Sequence, residues 1–434
     1  MSRIRGTLNL MTCLLAGVLG IAGGAAATDL KPQTVLGTSG IQAEPASGYT
    51  VRALPGTSRY VGALAVAPDS DQLIMAMGGW GDMNLYRYDP ASGDAVPVTA
   101  GAEDRDGDDQ LDTNFGSLSG LSIWKPITGG PVLYFMDSSI GSLASPGQGE
   151  RLYVAEDLNG DGDYMDVIEG KPEIRTFYDP DVADYMGADA VIVPGMGGVL
   201  VTEAVGAGLG TVTFIDFGGS ATLLATGFDY TSGVEVHPET GEIYVGNVTT
   251  SFRGQVYRLL EDQNGNGILE VSEPGEVTIA ADTDVLSGCF DMVFDGVGDL
   301  YVSVNDGAVC VRRLDHGNAP ALVQTVLSGL IFGTGIALKD RSEPLRDRAT
   351  ENRLYVGEGG WSTQPVVFEV TALQPGDMEP DGDLDLDDLI RLVDLVLDRP
   401  PPASPHEHWA GDLQRDGDLD VFDIVSLIDL ILER

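Results

Sequence analysis

The stretch "CFDMVFDGVGDLYVSVND" (residues 289–306) decides how this chain is read. An apolar strand runs into a Gly/Asp turn, and a second strand follows that ends in small or polar residues. In "DLYVSVN" apolar and polar side chains alternate with a period of two, as a strand packed on a neighbour requires. The unit recurs as "SGVEVHPETGEIYVGN" (232–247), "VGALAVAPDSDQLIMAMGG" (61–79), "LSGLSIWKPITGGPVLYFMDSS" (118–139) and "GADAVIVPGMGGVLVTEA" (187–204). It returns as "GTGIALKD", resuming at "ENRLYVGEG" (351–359). Further strands such as "QVYRLLED" and "EVTIAAD" follow each copy. A repeated unit of this kind cannot bury its faces alone and must stack on its neighbours. Six four-stranded copies predict an all-β body, a six-bladed β-propeller over 58–372. A pair of β-sandwiches is the alternative, disfavoured by the recurrence of one signature.

Composition narrows the partners. With 67 acidic against 24 basic residues the chain carries a formal charge of −43, which repels phosphate backbones and argues against nucleic acid. It suits a salt-adapted surface or a chain that collects divalent cations. The 58 glycines and 23 prolines indicate many turns. Arg3 and Arg5, the apolar run Leu8–Ile21 and the small residues Ala25–Ala27 read as a secretory signal over 1–27, with the mature chain beginning near Thr28 outside the cytoplasm. Residues 28–57 read as an N-terminal extension. No other run is long enough to span a bilayer. Cys289 and Cys310 would pair in an oxidising compartment or stand as two buried thiols.

Two insertions inside the body share a second signature: "EDLNGDGDYMDVIEG" (156–170) and "EDQNGNGILEVSEPG" (261–275). Oxygen donors at alternate positions with Gly at the sixth are what a calcium loop needs to wrap one hard cation. Asp262, Asn264, Asn266 and Glu273 fall at positions 1, 3, 5 and 12. Asp157, Asn159 and Asp161 match the start of the other loop, where the twelfth position is Ile168 and Glu169 comes one later. A third stretch, "AEDRDGDDQLD" (102–112), has Ala102 where the first ligand belongs. Such ions would staple long hairpins and do no chemistry; a polar, glycine-rich hairpin that binds nothing is the plainer reading.

The chain closes on a duplication, "GDMEPDGDLDLDDLIRLVDLVLDR" (376–399) and "GDLQRDGDLDVFDIVSLIDLILER" (411–434), identical at more than half of the aligned positions. Asp377, Glu379, Asp381, Asp383, Asp385 and Asp388 occupy positions 1, 3, 5, 7, 9 and 12 of a calcium loop. Asp412, Gln414, Asp416, Asp418, Asp420 and Asp423 do the same in the second copy. After each loop one helix is expected, with Leu389, Leu392, Val393 and Val396 on one stripe. This duplicated loop-plus-exit-helix resembles the type I dockerin domain. The resemblance implies a small all-α calcium-binding domain over 376–434 that attaches a secreted protein to a cohesin-type partner, often in polysaccharide breakdown. Here Leu386–Asp387 and Val421–Phe422 replace the Ser/Thr-type partner contacts of cellulosomal dockerins.

The blades resemble those of NHL-type and sugar-lactonase-type propellers through the loose "G-φ-x-φ…G-x-φ-Y-V" pattern, a resemblance that covers fold only. Asp137, Glu203, Asn247, Asn305, Asp306 and Glu358 follow the second strands of successive blades and would ring one face. In sugar-lactonase-type propellers such groups hold a central calcium; ordinary polar loop ends are the bland alternative. Trp80 and Trp361 would stack on sugar rings or fill core. No Ser-His-Asp order, zinc signature or sialidase-type Asp box is present. Two functions follow: a secreted binding protein for polysaccharide or a protein partner, or a carbohydrate-active hydrolase or lyase carried by the same tail.

Overall fold

The structure is a computed structural model. It describes residues 35–36 and 42–432 apart from internal stretches, the longest at 100–114, 138–150, 180–186, 313–321, 346–351 and 360–366, with shorter ones that include 80–81, 205–207, 373–375, 379–383 and 414–417. The signal-like segment, the 102–112 stretch, Trp80 and Trp361 lie outside the described residues.

Six sheets, each antiparallel through its blade strands, make up the ring. Blade 1 is built from Tyr60–Val66, Leu73–Gly79, Asp82–Tyr88 and Ala95–Pro97, and blade 2 from Leu118–Trp124, Val132–Asp137, Arg151–Glu156 and Ile174–Tyr178. Blade 3 comprises Gly187–Val193, Gly198–Glu203, Gly210–Asp216 and Ala221–Phe228; blade 4 comprises Tyr230–Val236, Ile243–Val248, Gly254–Leu259 and Val277–Ala281. Blade 5 holds Met292–Phe294, Leu300–Val304, Gly307–Arg312 and Leu322–Ser328, and blade 6 holds Gly333–Leu338, Leu354–Glu358 and Val367–Ala372. The first strand of each blade touches the first strands of both neighbours, and the ring closes from blade 6 back to blade 1. This is the six-bladed β-propeller expected from the repeats.

Its N-terminal boundary differs from the expectation. Tyr49–Ala53 pairs antiparallel with Val367–Ala372 as the outer strand of blade 6. Gln42–Pro45 adds to the outer edge of blade 5 through Glu44 and Pro45. Part of the supposed extension therefore closes the ring, which covers a sheet edge that would otherwise stand open.

The core is divided by interface. Each pair of adjacent blades encloses its own buried cluster, six in all, such as the one where Phe115, Phe135 and Tyr153 meet between blades 1 and 2. The tyrosines of "EIYVGNV", "DLYVSVN" and "RLYVGE", namely Tyr244, Tyr301 and Tyr355, are all fully buried there. Burying a side chain of that class stabilises by roughly 2–3 kcal/mol. Near the axis the inner strands come so close that side chains are excluded. A Cβ on Gly120 would lie 2.5 Å from the Ala190 nitrogen, and one on Gly335 2.8 Å from that of Leu64. Cys289 and Cys310 are both buried and form no disulfide.

The C-terminal region is helical: α1 (Leu386–Val396), α2 (Pro405–Gly411) and α3 (Val421–Leu432). Met378, Leu384, Leu392, Ala410 and Leu427 form a separate small core, with Leu389 and Val396 packed against it. The short α2 was not expected from the proline-rich segment between the repeats. Among the described residues, no helix is long and apolar enough to cross a membrane.

Candidate functional site

The insertions at 157–173 and 260–276 each join the third strand of a blade to its outer strand, in blades 2 and 4. Both wrap around their first aspartate. Asp157 accepts the N–H groups of Gly160 (2.6 Å) and Gly162 (3.0 Å); Asp262 accepts those of Gly265 (2.6 Å) and Gly267 (2.7 Å). Asn159 accepts from Asp161 N–H and Asn264 from Asn266 N–H, each at 2.9 Å. The four glycines have φ between 74° and 91°, where a Cβ would strain the turn. The amides of Gly267 and Gly265 hold the Asp262 carboxyl below the usual carboxylate range despite some desolvation.

One buried glutamate closes each insertion, and the sequence reading singled out neither. Glu173 accepts from Leu158 N–H (2.7 Å) and Asp166 N–H (3.1 Å). Glu276 accepts from the N–H groups of Gln263 (3.0 Å), Asn264 (3.2 Å) and Glu270 (2.9 Å). Both are fully buried. The residue expected at position 12, Glu273, stands exposed in a turn. Ile168 belongs to a two-residue strand, and Glu169 (φ 52°) forms its turn. The glutamate that ties each loop's amides together lies beyond the twelfth position, past a hairpin whose length differs between the two loops.

The tail repeats the arrangement on helices. Asp388 accepts from Met378 N–H (2.7 Å) and Asp385 N–H (2.9 Å); Asp423 accepts from Leu413 N–H (2.8 Å) and Asp420 N–H (3.0 Å). Asp385 and Asp420 in turn accept from Asp387 and Phe422 N–H, each at 2.7 Å, capping α1 and α3. In all four loops, then, one buried carboxylate ties the amide of the second residue to that of the ninth or tenth. Asp377, Asp412 and Asp418 lie in described parts of the tail loops, whereas Glu379, Asp381, Asp383, Gln414 and Asp416 lie outside the described residues. Among the described residues, no three or more His, Cys, Asp or Glu side chains converge as a ready-made metal cage.

Each insertion also reaches back to the preceding blade. Tyr164, the eighth residue from Asp157, donates its N–H to Val98 O of blade 1 at 2.9 Å and is itself buried. Leu269, the eighth from Asp262, opens a two-residue strand that pairs in parallel with Ala225–Thr226 of blade 3.

The six ring candidates do local work. Asp137 accepts from Gly116 and Ser117 N–H, both at 3.0 Å. Asn247 accepts from Tyr230 N–H (3.0 Å), and Glu358 from Ile331 N–H (2.8 Å) and Phe332 N–H (3.2 Å). Each caps the entry to its own blade's first strand. Glu203 accepts from the Thr211 hydroxyl (2.8 Å), with burial pushing its carboxyl up. Asp306 accepts weakly from Gly329 N–H (3.3 Å), and Asn305 sits against Gly288.

Charge gathers instead along the axis, at residues no motif announced. Asp189 accepts from Ala190 N–H (2.7 Å) and, across to blade 4, from Val234 N–H (2.9 Å). Asp291 accepts from Met292 N–H (2.7 Å) and, across to blade 6, from Ile336 N–H (2.8 Å). In the other four copies of the inner strand this place is Gly62, Gly120, Gly233 or Gly335, so an Asp among glycines was the available signal. Glu235, buried on blade 4, pairs with the Arg341 guanidinium. Burial, above all, pushes the Asp291 carboxyl up to about 7, and burial together with the charge of Asp291 pushes Asp189 well above the carboxylate range. Three acids thus face one cation in the centre of the ring.

No protein-family model matches the chain, and no curated protein does. Solved structures do. A glucose dehydrogenase shares 11% identity and a TM-score of 0.52 over 74% of this chain and 99% of its own. The soluble aldose sugar dehydrogenase of Escherichia coli in its apo form shares 10% identity and a TM-score of 0.51 over 75% and 99%. A luciferin-regenerating enzyme shares 12% and 0.51 over 75% and 96%. At these identities the likeness is one of fold, the six-bladed propeller.

Proposed function

We propose that this chain is a secreted calcium-binding protein whose propeller binds a carbohydrate-related ligand and whose dockerin-like tail fastens it to a cohesin-type module. The observation that carries the reading is the carboxylate clamp shared by four loops. Asp388, Asp423, Glu173 and Glu276 hold the same pair of loop amides, on helices in the tail and on hairpins in the body. A clamp of that kind draws a loop's ends together, and each loop carries further oxygen donors, Asp157, Asn159 and Asp161 or Asp262, Asn264 and Asn266, at the alternate positions a calcium ion uses. The carbohydrate part draws support from the sugar-oxidising proteins that share the fold, and a neutral glycan is a ligand that a surface of charge −43 does not repel.

Equilibrium dialysis of the full chain against calcium tests the first half: up to four ions per chain are expected, one fewer in Glu276→Gln. Failure to bind any calcium at millimolar concentration would sink the reading. A glycan array probed with calcium-loaded protein tests the second half.

A further inference from the structure

On the face of the propeller where the insertions lie, three neighbouring turn tips of blades 2 and 3 are apolar. Ile127 is wholly exposed, Met196 is 45% exposed and Phe217 is 36% exposed. The matching first-hairpin tips of blades 1 and 4, "PDSD" (68–71) and "HPET" (237–240), are polar. Blade 5 shows one exposed apolar residue at this place, Val297, whereas blades 2 and 3 bring three together.

The rings are set in a defined geometry. Trp124 and Phe217 stack with centroids 5.0 Å apart and planes 10° from parallel. Phe217 is presented by a rigid turn: Asp216 accepts from Gly218 and Ser220 N–H, both at 2.9 Å, and Phe217 N–H donates to Gly197 O at 2.9 Å. Tyr134 and Phe177, in edge-to-face contact at 5.0 Å, support the pair from below. Above the neighbouring turn, Gly195 and Gly197 have nothing within 4 Å of where a Cβ would stand. The result is a flat, partly exposed aromatic step beside open space.

Resting on the carbohydrate reading above, we infer that Trp124, Phe217, Ile127 and Met196 form a stacking platform for the apolar face of a neutral sugar ring. Four side chains fall far short of the roughly 800 Å² per partner that a stable protein interface needs, whereas one or two flat rings match them in size. Aromatic rings stack on flat ligands of any sequence and ask for no charge. Ile127 and Met196 lie outside the cluster between blades 2 and 3, whereas Phe217 also rests on its Tyr134, with centroids 6.3 Å apart.

The test is native electrophoresis of the full-length protein in gels containing xyloglucan, galactomannan or mixed-linkage β-glucan. At least one should retard the wild type. Phe217→Ala and the exposed-tip variant Ile127→Ser should weaken that retardation severalfold, the latter with unchanged melting, Trp124→Ala at least tenfold, and Trp124→Phe little. Retardation of the wild type with equal retardation of Phe217→Ala and Ile127→Ser would overturn the platform and leave the carbohydrate reading standing. No retardation by any of the three, with a blank glycan array, would remove both.

Discussion

Arg52 and Glu369, 317 residues apart in the chain, face each other as a fork: Nε lies 3.2 Å from Oε1 and Nη2 3.0 Å from Oε2. Arg353 adds a third contact to Oε2 at 3.3 Å. The pair sits where the strand Tyr49–Ala53 seals blade 6, so the two ends of the propeller meet through one buried carboxylate.

Arg52 is half exposed, and its loss should cost only about 1 kcal/mol. Glu369→Ala removes the shared acceptor of two arginines and should cost about 2 kcal/mol. Deleting residues 42–53 should do far more, because blade 6 then loses its outer strand. Urea unfolding followed by tryptophan fluorescence would rank the three; equal effects would refute the closure role.

Glu276 satisfies three amides, two of them in the first turn of its loop. Glu276→Ala leaves buried donors unpaired and should destabilise by about 3 kcal/mol or more, while Glu273→Ala should stay within about 0.5 kcal/mol. Chemical denaturation in EDTA isolates this effect from any metal. A larger loss at Glu273 would restore it as the loop's closing residue.

The axial aspartates make stability fall with rising pH. Asp291 titrates near 7 when folded, against about 3.9 unfolded, so the folded state holds a proton the unfolded state has released. Stability is fully present below the unfolded value and is lost as pH rises through 7, at a slope of at most about 1.4 kcal/mol per pH unit for one group. The facing charges are Asp189, Glu235 and Arg341. Asp291→Asn should flatten the profile between about pH 4 and 7, though it forfeits one amide bond. An unchanged slope in thermal melts would show that the axis does not titrate.

In the tail, α1 has 11 residues and α3 has 12, too few to persist alone in water. Their small core draws on both repeats, with Met378, Leu384 and Leu392 from the first packed on Leu427 of the second. Residues 376–434 as a fragment should be largely unfolded in EDTA and become helical with calcium, and Asp388→Ala or Asp423→Ala should blunt that change. Full helicity by circular dichroism in EDTA would disconnect the loops from folding.

Much of the fold was legible because it is periodic. Tyr244, Tyr301 and Tyr355 recur in one local pattern, and each is buried between blades as a period of two requires. What escaped was non-local or masked by the repeat. "YTVRA" at 49–53 is five residues whose partner strand lies at the far end of the chain, and no local pattern announces such pairing. Glu173 and Glu276 were hidden by hairpins that displace them from the twelfth position. Asp189 and Asp291 carry no motif beyond standing where other copies have glycine. Trp124 is an ordinary strand residue until the turn of blade 3 sets Phe217 beside it.

The backward reach of the two insertions sets an order for how the ring comes apart. Side-chain clusters can slide open like facing pages, but the seams between blades 1 and 2 and between blades 3 and 4 are also tied by main chain, at Tyr164–Val98 and at Leu269–Ala225. Under heat or tension the two tied pairs should part after their neighbours. The propeller then behaves mechanically less as six equal leaves than as two bound pairs, 1–2 and 3–4, with a third pair, 5–6, spanned by the N-terminal segment that runs from the edge of blade 5 to the edge of blade 6.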